Sequence, residues 1–305
     1  MKNKVAVLLG GNSSERNISI KSGYAVLNSL LKSGINAYPI DPQHFPIMQL
    51  KTEGFSKAYI ALHGRGGEDG VIQGVLEYLK IPYTGSGILA SSLSLDKYKT
   101  KLMWKSSELS VLPDIYLQKN DILKFLHHGI EKKFLKLKFP ILVKPNTAGS
   151  SIGITLVNSF NGLNQAIRIA YNYSHDILIE KFLVGEEYTI SILGKKILPS
   201  IKITTKNYFY DYNAKYKCSS TQYLCPSGLS DEKEKELQKI AKLAWNTLGC
   251  KGCGRIDVIL DKKDKFWLLE VNTIPGMTNK SLVPIAARAF KIPFDDLVLK
   301  ILNDK

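Results

Sequence analysis

The sequence predicts an α/β protein that opens with a parallel-sheet unit and continues into further α/β units. Three observations predict it. Strand-like and helix-like stretches alternate from Lys4 to Thr84, and two glycine-rich loops follow strand ends. The chain has 305 residues and is 44% hydrophobic, enough to bury more than one core. The βαβ rhythm calls for a Rossmann-like parallel sheet with helices on its faces.

Lys4 to Leu9 reads as a buried strand, and Ile18 to Leu31 carries apolar residues at helical spacing before Ser33-Gly34. Ala37 to Ile40 and Lys57 to Leu62 read as strands, Val71 to Leu79 as a helix and Pro82 to Thr84 as another short strand. The loops Gly10 to Arg16 and His63 to Gly70 then lie at strand C-terminal ends, where open α/β sheets bind ligands. A second unit begins with a helix from Lys97 to Ser107. It continues through a strand from Phe139 to Pro145, a loop from Asn146 to Gly153 and a strand from Ile154 to Val157. A helix from Leu163 to Tyr171 and a strand from Ile177 to Lys181 complete it. The third unit holds a helix from Ser230 to Leu248, with Leu237, Ile240, Ala241, Ala244, Trp245 and Leu248 on one stripe. Ser230 is placed to cap it, Asp231 and Glu232 suit its first turn, and Gly249 can end it. The expected units are 1–96, 97–184 and 185–305.

Composition excludes several classes. After Met1-Lys2-Asn3-Lys4, the apolar run Val5 to Leu9 is too short for a signal peptide and breaks at Gly10-Gly11. No stretch reaches the ~20 apolar residues of a spanning helix, so a cytoplasmic protein with no membrane partner is expected. A net charge of +15 raises the question of nucleic acid. The lysines are scattered, however, and no basic helix or aromatic-interleaved basic stripe occurs, so no nucleic-acid partner is expected. Cys218, Cys225, Cys250 and Cys253 include one CxxC pair. A zinc site would need a second such pair, and a redox pair a helix start in place of the strand that follows; free thiols are expected.

Four stretches carry chemistry. Gly254 to Leu260 alternates, so Arg255 and Asp257 share a face; Phe266 to Asn272 alternates too and places Glu270 with Asn272. A hairpin turn centred between Lys263 and Asp264 sets Asp257 opposite Glu270. Facing carboxylates need an intervening cation, and an all-oxygen set suits Mg²⁺; a solvated sheet face is the plainer alternative. Lys144 to Gly153 delivers a lysine and then bare amides and hydroxyls, which suits a phosphate chain and equally an ordinary hairpin. It is not a Walker A loop, and Gly10-Gly11 does not match GxGxxG. Glu180 ends an apolar strand, where its carboxylate could accept from an adenine amino group, and Glu187 could take ribose hydroxyls; two surface acids at a crossover are the alternative. Phe209 to Tyr216 lies in an aromatic stretch without periodicity, from about Thr204 to Thr221, a candidate lid.

The ordered set GGNSSE, HGRGGEDG, LDK, KPNTAGSSIG, EKFLVGEEYT, FYDYNAKY, GRIDVIL and LEVNTIPGMTNKSL resembles the D-alanine–D-alanine ligase family of the ATP-grasp superfamily, over essentially the whole chain. The resemblance implies a three-domain α/β ATP-grasp fold with ATP between the second and third domains. It implies that Lys97 and Lys144 meet the phosphates, with Lys215 of the lid on the terminal one and Ser151 also at the nucleotide. Glu180, Lys181 and Leu183 would line the adenine site, with Glu187 on the ribose and Phe209 also at the nucleotide. Asp257, Glu270 and Asn272 would hold two Mg²⁺ or Mn²⁺ ions. Glu15 would bind the ammonium of the first D-alanine, and Ser150 and Tyr216 would join it in a hydrogen-bonded triad. Arg255 and the Gly276 amide would steady the oxyanion. Ser281 and Leu282 would receive the second D-alanine's carboxylate, with His63 nearby.

The implied activity is ATP-dependent joining of two D-alanines through an acyl phosphate, with ADP and phosphate released, in peptidoglycan precursor synthesis. A homodimer is implied as well. The same fold serves ligases that take D-lactate or D-serine second; Tyr216 after Lys215 favours D-alanine. Lys280 beside Ser281 could alter the charge seen by the second substrate's carboxylate.

Overall fold

The computed structural model describes residues 4–128, 136–205 and 220–304. Phe209, Lys215, Tyr216 and Cys218, and with them most of the expected lid, lie outside the described residues.

The N-terminal sheet is parallel, in the order β2 (Ala37–Ile40), β1 (Lys4–Leu8), β3 (Phe55–Ile60). Helix α1 (Arg16–Lys32) follows β1, and α2 (Val71–Tyr78) follows the second glycine-rich loop. The strand expected at Pro82 to Thr84 is reduced to a single parallel bridge, Ala58 to Tyr83. The reason is local: the Thr84 hydroxyl accepts the Ile60 amide at 3.0 Å, so a side chain closes the edge where a ladder would continue. The serine-rich stretch that follows, read as no element, forms helix α3 (Ile88–Leu95). Beyond it, α4 (Lys97–Ser106) starts at Asp96, whose side chain accepts the Lys99 amide.

The central sheet is antiparallel, in the order β4 (Asp114–Leu117), β7 (Ile177–Lys181), β5 (Ile141–Pro145), β6 (Thr155–Val157). Helices α5 (Lys119–His128) and α6 (Leu163–Tyr171) belong to this region, and Ile122, Phe125, Leu163, Ile167 and Ile179 share its core.

The C-terminal sheet has six strands among the described residues. They run β11 (Gln222–Leu224), β10 (Ile201–Thr204), β8 (Gly185–Leu193), β12 (Cys253–Asp261), β13 (Phe266–Asn272), with β9 (Lys196–Ile197) on β8. Helix α7 (Asp231–Thr247) buries Leu237, Ala241, Ala244 and Trp245 against this sheet, the stripe its spacing predicts. Ser230 caps it and Gly249 follows with φ +70°, as expected. Trp104 of α4 joins that same core and donates its indole N–H to Ala244 at 3.0 Å. Helix α4 therefore packs on the C-terminal core, although it leads into the central sheet. Helices α8 (Leu282–Ala289) and α9 (Phe294–Asn303) share a further core with β1 and α1, so chain ends distant in sequence are joined. The described sheets and helices form a mixed α/β architecture with a parallel N-terminal sheet.

Candidate active site

Three walls converge on a cavity of about 490 Å³. The first is the N-terminal glycine loop. Gly10 and Gly11 both take positive φ, and a Cβ on Gly10 would strike the Asp41 carboxylate at 2.5 Å. Asp41 accepts from the Gly11 amide and pairs with Arg16 at 2.7 Å. Burial pushes its pKa up, but the bonds from Arg16, Gly11 and Gln43 outweigh that and hold it down to about 2. This clamp fixes the loop and delivers Glu15, buried, to the start of α1. Asp41 was not singled out from sequence: it lies on the far side of β2, and only the fold brings it to the loop.

The second wall comes from the Lys144 to Gly153 stretch. Ser150 donates its hydroxyl to Glu15 Oε1, so two of the three expected triad members meet. Ser150 and Ser151 have φ of +52° and +56°, a left-handed turn that non-glycine residues rarely take. Gly149 is required beside them, because a Cβ there would sit 2.5 Å from Glu15 Oε2. Asn146, fully buried, anchors the loop to α4: its Nδ2 donates to Asp96 at 2.8 Å and its Oδ1 accepts from Tyr98 N–H at 2.9 Å. Lys97 reaches the loop from α4 and donates to Ala148 O at 2.6 Å.

The third wall is the β12–β13 hairpin and the segment after it. Asp257 lies opposite Glu270 and Arg255 opposite Asn272. The pairing near the turn differs from the expectation. Leu260 meets Phe266, and the register shifts past Asp257, leaving Leu269 as the extra residue of a bulge. The bulge is what restores the Asp257–Glu270 pair. Arg255 Nε and Nη2 donate to the two Asp257 oxygens at 2.9 and 3.0 Å, and Thr189 Oγ1 donates to Oδ1 at 2.5 Å. Farther on, Ser281 Oγ accepts the Thr278 amide at 3.1 Å and makes no cap bond to its own helix. The first-turn amides of α8 therefore stay open to an anion.

Of the residues singled out from sequence, Glu15, His63, Lys97, Ser150, Arg255, Glu270, Asn272, Gly276, Ser281 and Leu282 line this cavity. Asp257 sits behind Arg255. Lys144, Ser151, Glu180, Lys181, Leu183 and Glu187 are not on its wall. The Glu180 carboxylate lies between the ammonium groups of Lys101 and Lys144 and is 2% exposed. A buried carboxylate needs a counter-charge, and the two lysines supply it. Burial raises its pKa, and Lys144 and Lys101 more than reverse this, to about 2. Lys101, itself 1% exposed, also donates to Leu112 O at 2.8 Å and lies 3.3 Å from Asp114. Lys181 donates to the carbonyls of Lys138 and Phe139 at 2.7 and 3.2 Å, at the crossover of the two antiparallel sheets.

His63 is buried and its Nε2 lies 3.3 Å from Ser22 Oγ. Burial and Arg255 together lower its pKa to about 4, so the ring is neutral at ordinary pH. Glu68, missed from sequence because its charged neighbours come from distant elements, also lines the cavity. Cys225, Cys250 and Cys253 are free thiols, as expected, and burial pushes Cys253 up to about 12.

The cavity thus joins an anionic group, a guanidinium and a helix start, on a fold that belongs to the ATP-grasp class. Comparison with known proteins agrees. The family described as D-ala D-ala ligase C-terminus matches residues 103–303. A D-alanine–D-alanine ligase of Buchnera aphidicola from Schizaphis graminum is 70% identical over 303 residues, 99% of both chains. That of the Baizongia pistaciae strain is 56% identical, over 98% of this chain and 97% of its own. A crystal structure of the Bacillus anthracis ligase complexed with ATP superposes with a TM-score of 0.85 at 31% identity, covering 99% of this chain and 97% of that one. The chain belongs to the D-alanine–D-alanine ligase family.

Proposed function

We propose that the protein joins two D-alanines at the expense of ATP, releasing ADP and phosphate, as a cytoplasmic homodimer supplying cell-wall precursors. The observation that carries this reading is the single cavity that gathers Glu15, Ser150, Arg255, Gly276 and Ser281. Glu15, held by Ser150, is the anion for the first ammonium. Ser281 and the α8 amides take the second carboxylate, a charge that a helix start favours. Arg255 and the Gly276 amide steady the negative oxygen that develops when the second amine attacks. The first carboxylate is a poor acyl donor until it carries a phosphoryl group, and Lys97 and Lys144 offset the charge of the phosphates. Lys181, Leu183 and Glu187 flank the nucleotide at the sheet crossover, with Ser151 also contacting it; the family resemblance assigns Phe209 and Lys215 to the nucleotide and Tyr216 to the Glu15 and Ser150 triad. Glu180 takes the adenine amino group and also fixes Lys144.

The donor set fits a hard divalent cation. Asp257, Glu270 and Asn272 are all oxygen ligands, and Asn272 Oδ1 is buried with no hydrogen-bond partner among the described residues. Those three residues would hold Mg²⁺ or Mn²⁺, which supplies charge neutralisation on the transferring phosphoryl group when bound.

Mass spectrometry of products from ATP, Mg²⁺ and D-alanine tests the reading. D-alanyl-D-alanine with one ADP per dipeptide is expected. AMP in place of ADP, or equal product from L-alanine, overturns it.

A further inference from the structure

The cavity wall carries one carboxyl that neither the ammonium site nor the metal set uses. Glu68 lies in the loop between β3 and α2 and is 9% exposed. Its Oε2 accepts the Gly64 amide at 2.8 Å. Its Oε1 has no hydrogen-bond partner among the described residues. Gly64 itself sits between two acids, since a Cβ there would lie 2.7 Å from Glu15 Oε2. The charged groups around Glu68 come from three other elements: Glu15 at the start of α1, Lys97 at the start of α4 and Arg255 on β12.

The reaction needs a base at this place. The second amino acid arrives as an ammonium, which has no lone pair, and must lose a proton beside the acyl carbon that Arg255 serves. Glu15 is committed to Ser150 and to the first ammonium. His63, on the same loop as Glu68, holds a proton poorly, with its pKa lowered to about 4 by burial and Arg255. Burial and then Glu15 raise the Glu68 carboxyl well above the usual carboxylate range. The Gly64 amide, Arg255 and Lys97 keep its anion accessible. Proton affinity and position thus coincide in one side chain.

We propose that Glu68 takes the proton from the ammonium of the second amino acid, with Oε1 as the accepting atom; this rests on the D-alanine ligase reading of the site. One ammonium proton passes to Glu68, and the freed nitrogen lone pair forms the C–N bond. The bond from the acyl carbon to the phosphate oxygen breaks, and its electron pair leaves with the phosphate. The second N–H proton goes to the departing phosphate, and Glu68 returns its proton to solvent through the cavity mouth. Acyl phosphate formation does not require Glu68.

The test separates the two halves of the reaction. Hydroxylamine is largely a neutral amine at neutral pH, so it captures an acyl phosphate as a hydroxamate without a base. The parent and Glu68→Gln are given ATP, Mg²⁺ and D-alanine, with and without hydroxylamine. Gln keeps an oxygen for the Gly64 amide. Dipeptide formation is expected to fall at least ~100-fold, the usual contribution of a positioned base, while hydroxamate formation stays at the parent's rate. The ratio of the two products is the readout, because it is independent of how much of the variant folds. An unchanged ratio, whether both products persist or both fall, overturns the assignment. A parent that makes neither product overturns the D-alanine reading itself.

Discussion

Ser150 donates its hydroxyl to Glu15 Oε1, although 135 residues separate the two in the chain. The contact ties the glycine-serine loop of the central sheet to the first helix of the N-terminal sheet, and both side chains line the cavity. It exists because Gly149 lets the loop backbone approach the carboxylate.

Ser150→Ala removes a hydrogen bond to a charged group, worth about 1.5–3 kcal/mol. The KM for the first D-alanine is expected to rise at least ~10-fold with little change in melting temperature. Gly149→Ala is expected to do at least as much damage, since its Cβ would displace Glu15. Steady-state kinetics with the two D-alanine sites resolved checks both; an unchanged first-site KM in either variant contradicts the assigned role.

Lys101→Met leaves Glu180 with Lys144 as its remaining cation. Breaking a buried pair from one side costs about 3–5 kcal/mol. Urea unfolding is expected to show that loss. Lys105→Met, which removes a half-exposed partner of Asp114, is expected to cost about 1 kcal/mol or less. Equal effects of the two substitutions would show that burial of the network does not set its contribution.

His63 contributes a pH dependence whose sign is set by its lowered pKa. The folded ring binds its proton only near pH 4, the unfolded ring near 6.5. Between those values the unfolded chain binds more protons, so this contribution is complete above pH 6.5, falls as the pH drops and is gone below about 4. The full span is worth about 3 kcal/mol. Unfolding free energies of the parent and His63→Gln, measured between pH 7 and 4.5, are expected to differ in slope. Parallel curves would mean that His63 charges in the folded protein.

Asn272→Ala removes the buried side-chain oxygen of the hairpin that has no hydrogen-bond partner among the described residues. The concentration of Mg²⁺ giving half-maximal nucleotide binding is expected to rise at least ~10-fold, with the fold kept. Calorimetric titration of Mg²⁺-ADP measures it. An unaltered Mg²⁺ requirement would place the metal elsewhere.

Much of the site was legible in sequence where its residues are near neighbours. Period-two alternation placed Arg255 with Asp257 and Glu270 with Asn272, because adjacent strand positions point to opposite faces. The turn count reached the Asp257–Glu270 pair for an incomplete reason. Near the turn the register is Leu260 with Phe266, and the bulge at Leu269 shifts it back. Alternation carries no mark of a bulge, which the surrounding packing imposes.

Glu180 shows the opposite case. Its place at the end of an apolar strand was readable, but its partners were not: Lys101 is on α4 and Lys144 on a neighbouring strand. Asp41, Asn146 and Glu68 escaped for the same reason.

By itself, then, the sequence determined many of the strands, helices and glycine turns, and which ordered motifs mark the family. Those properties rest on backbone preference and on the spacing of residues a few positions apart. Only the tertiary structure decided which distant charges face one another: Glu15 with Ser150 and Glu68, and Glu180 with two lysines. Coulomb and desolvation energies depend on distance and burial in space, and separation along the chain carries no record of either.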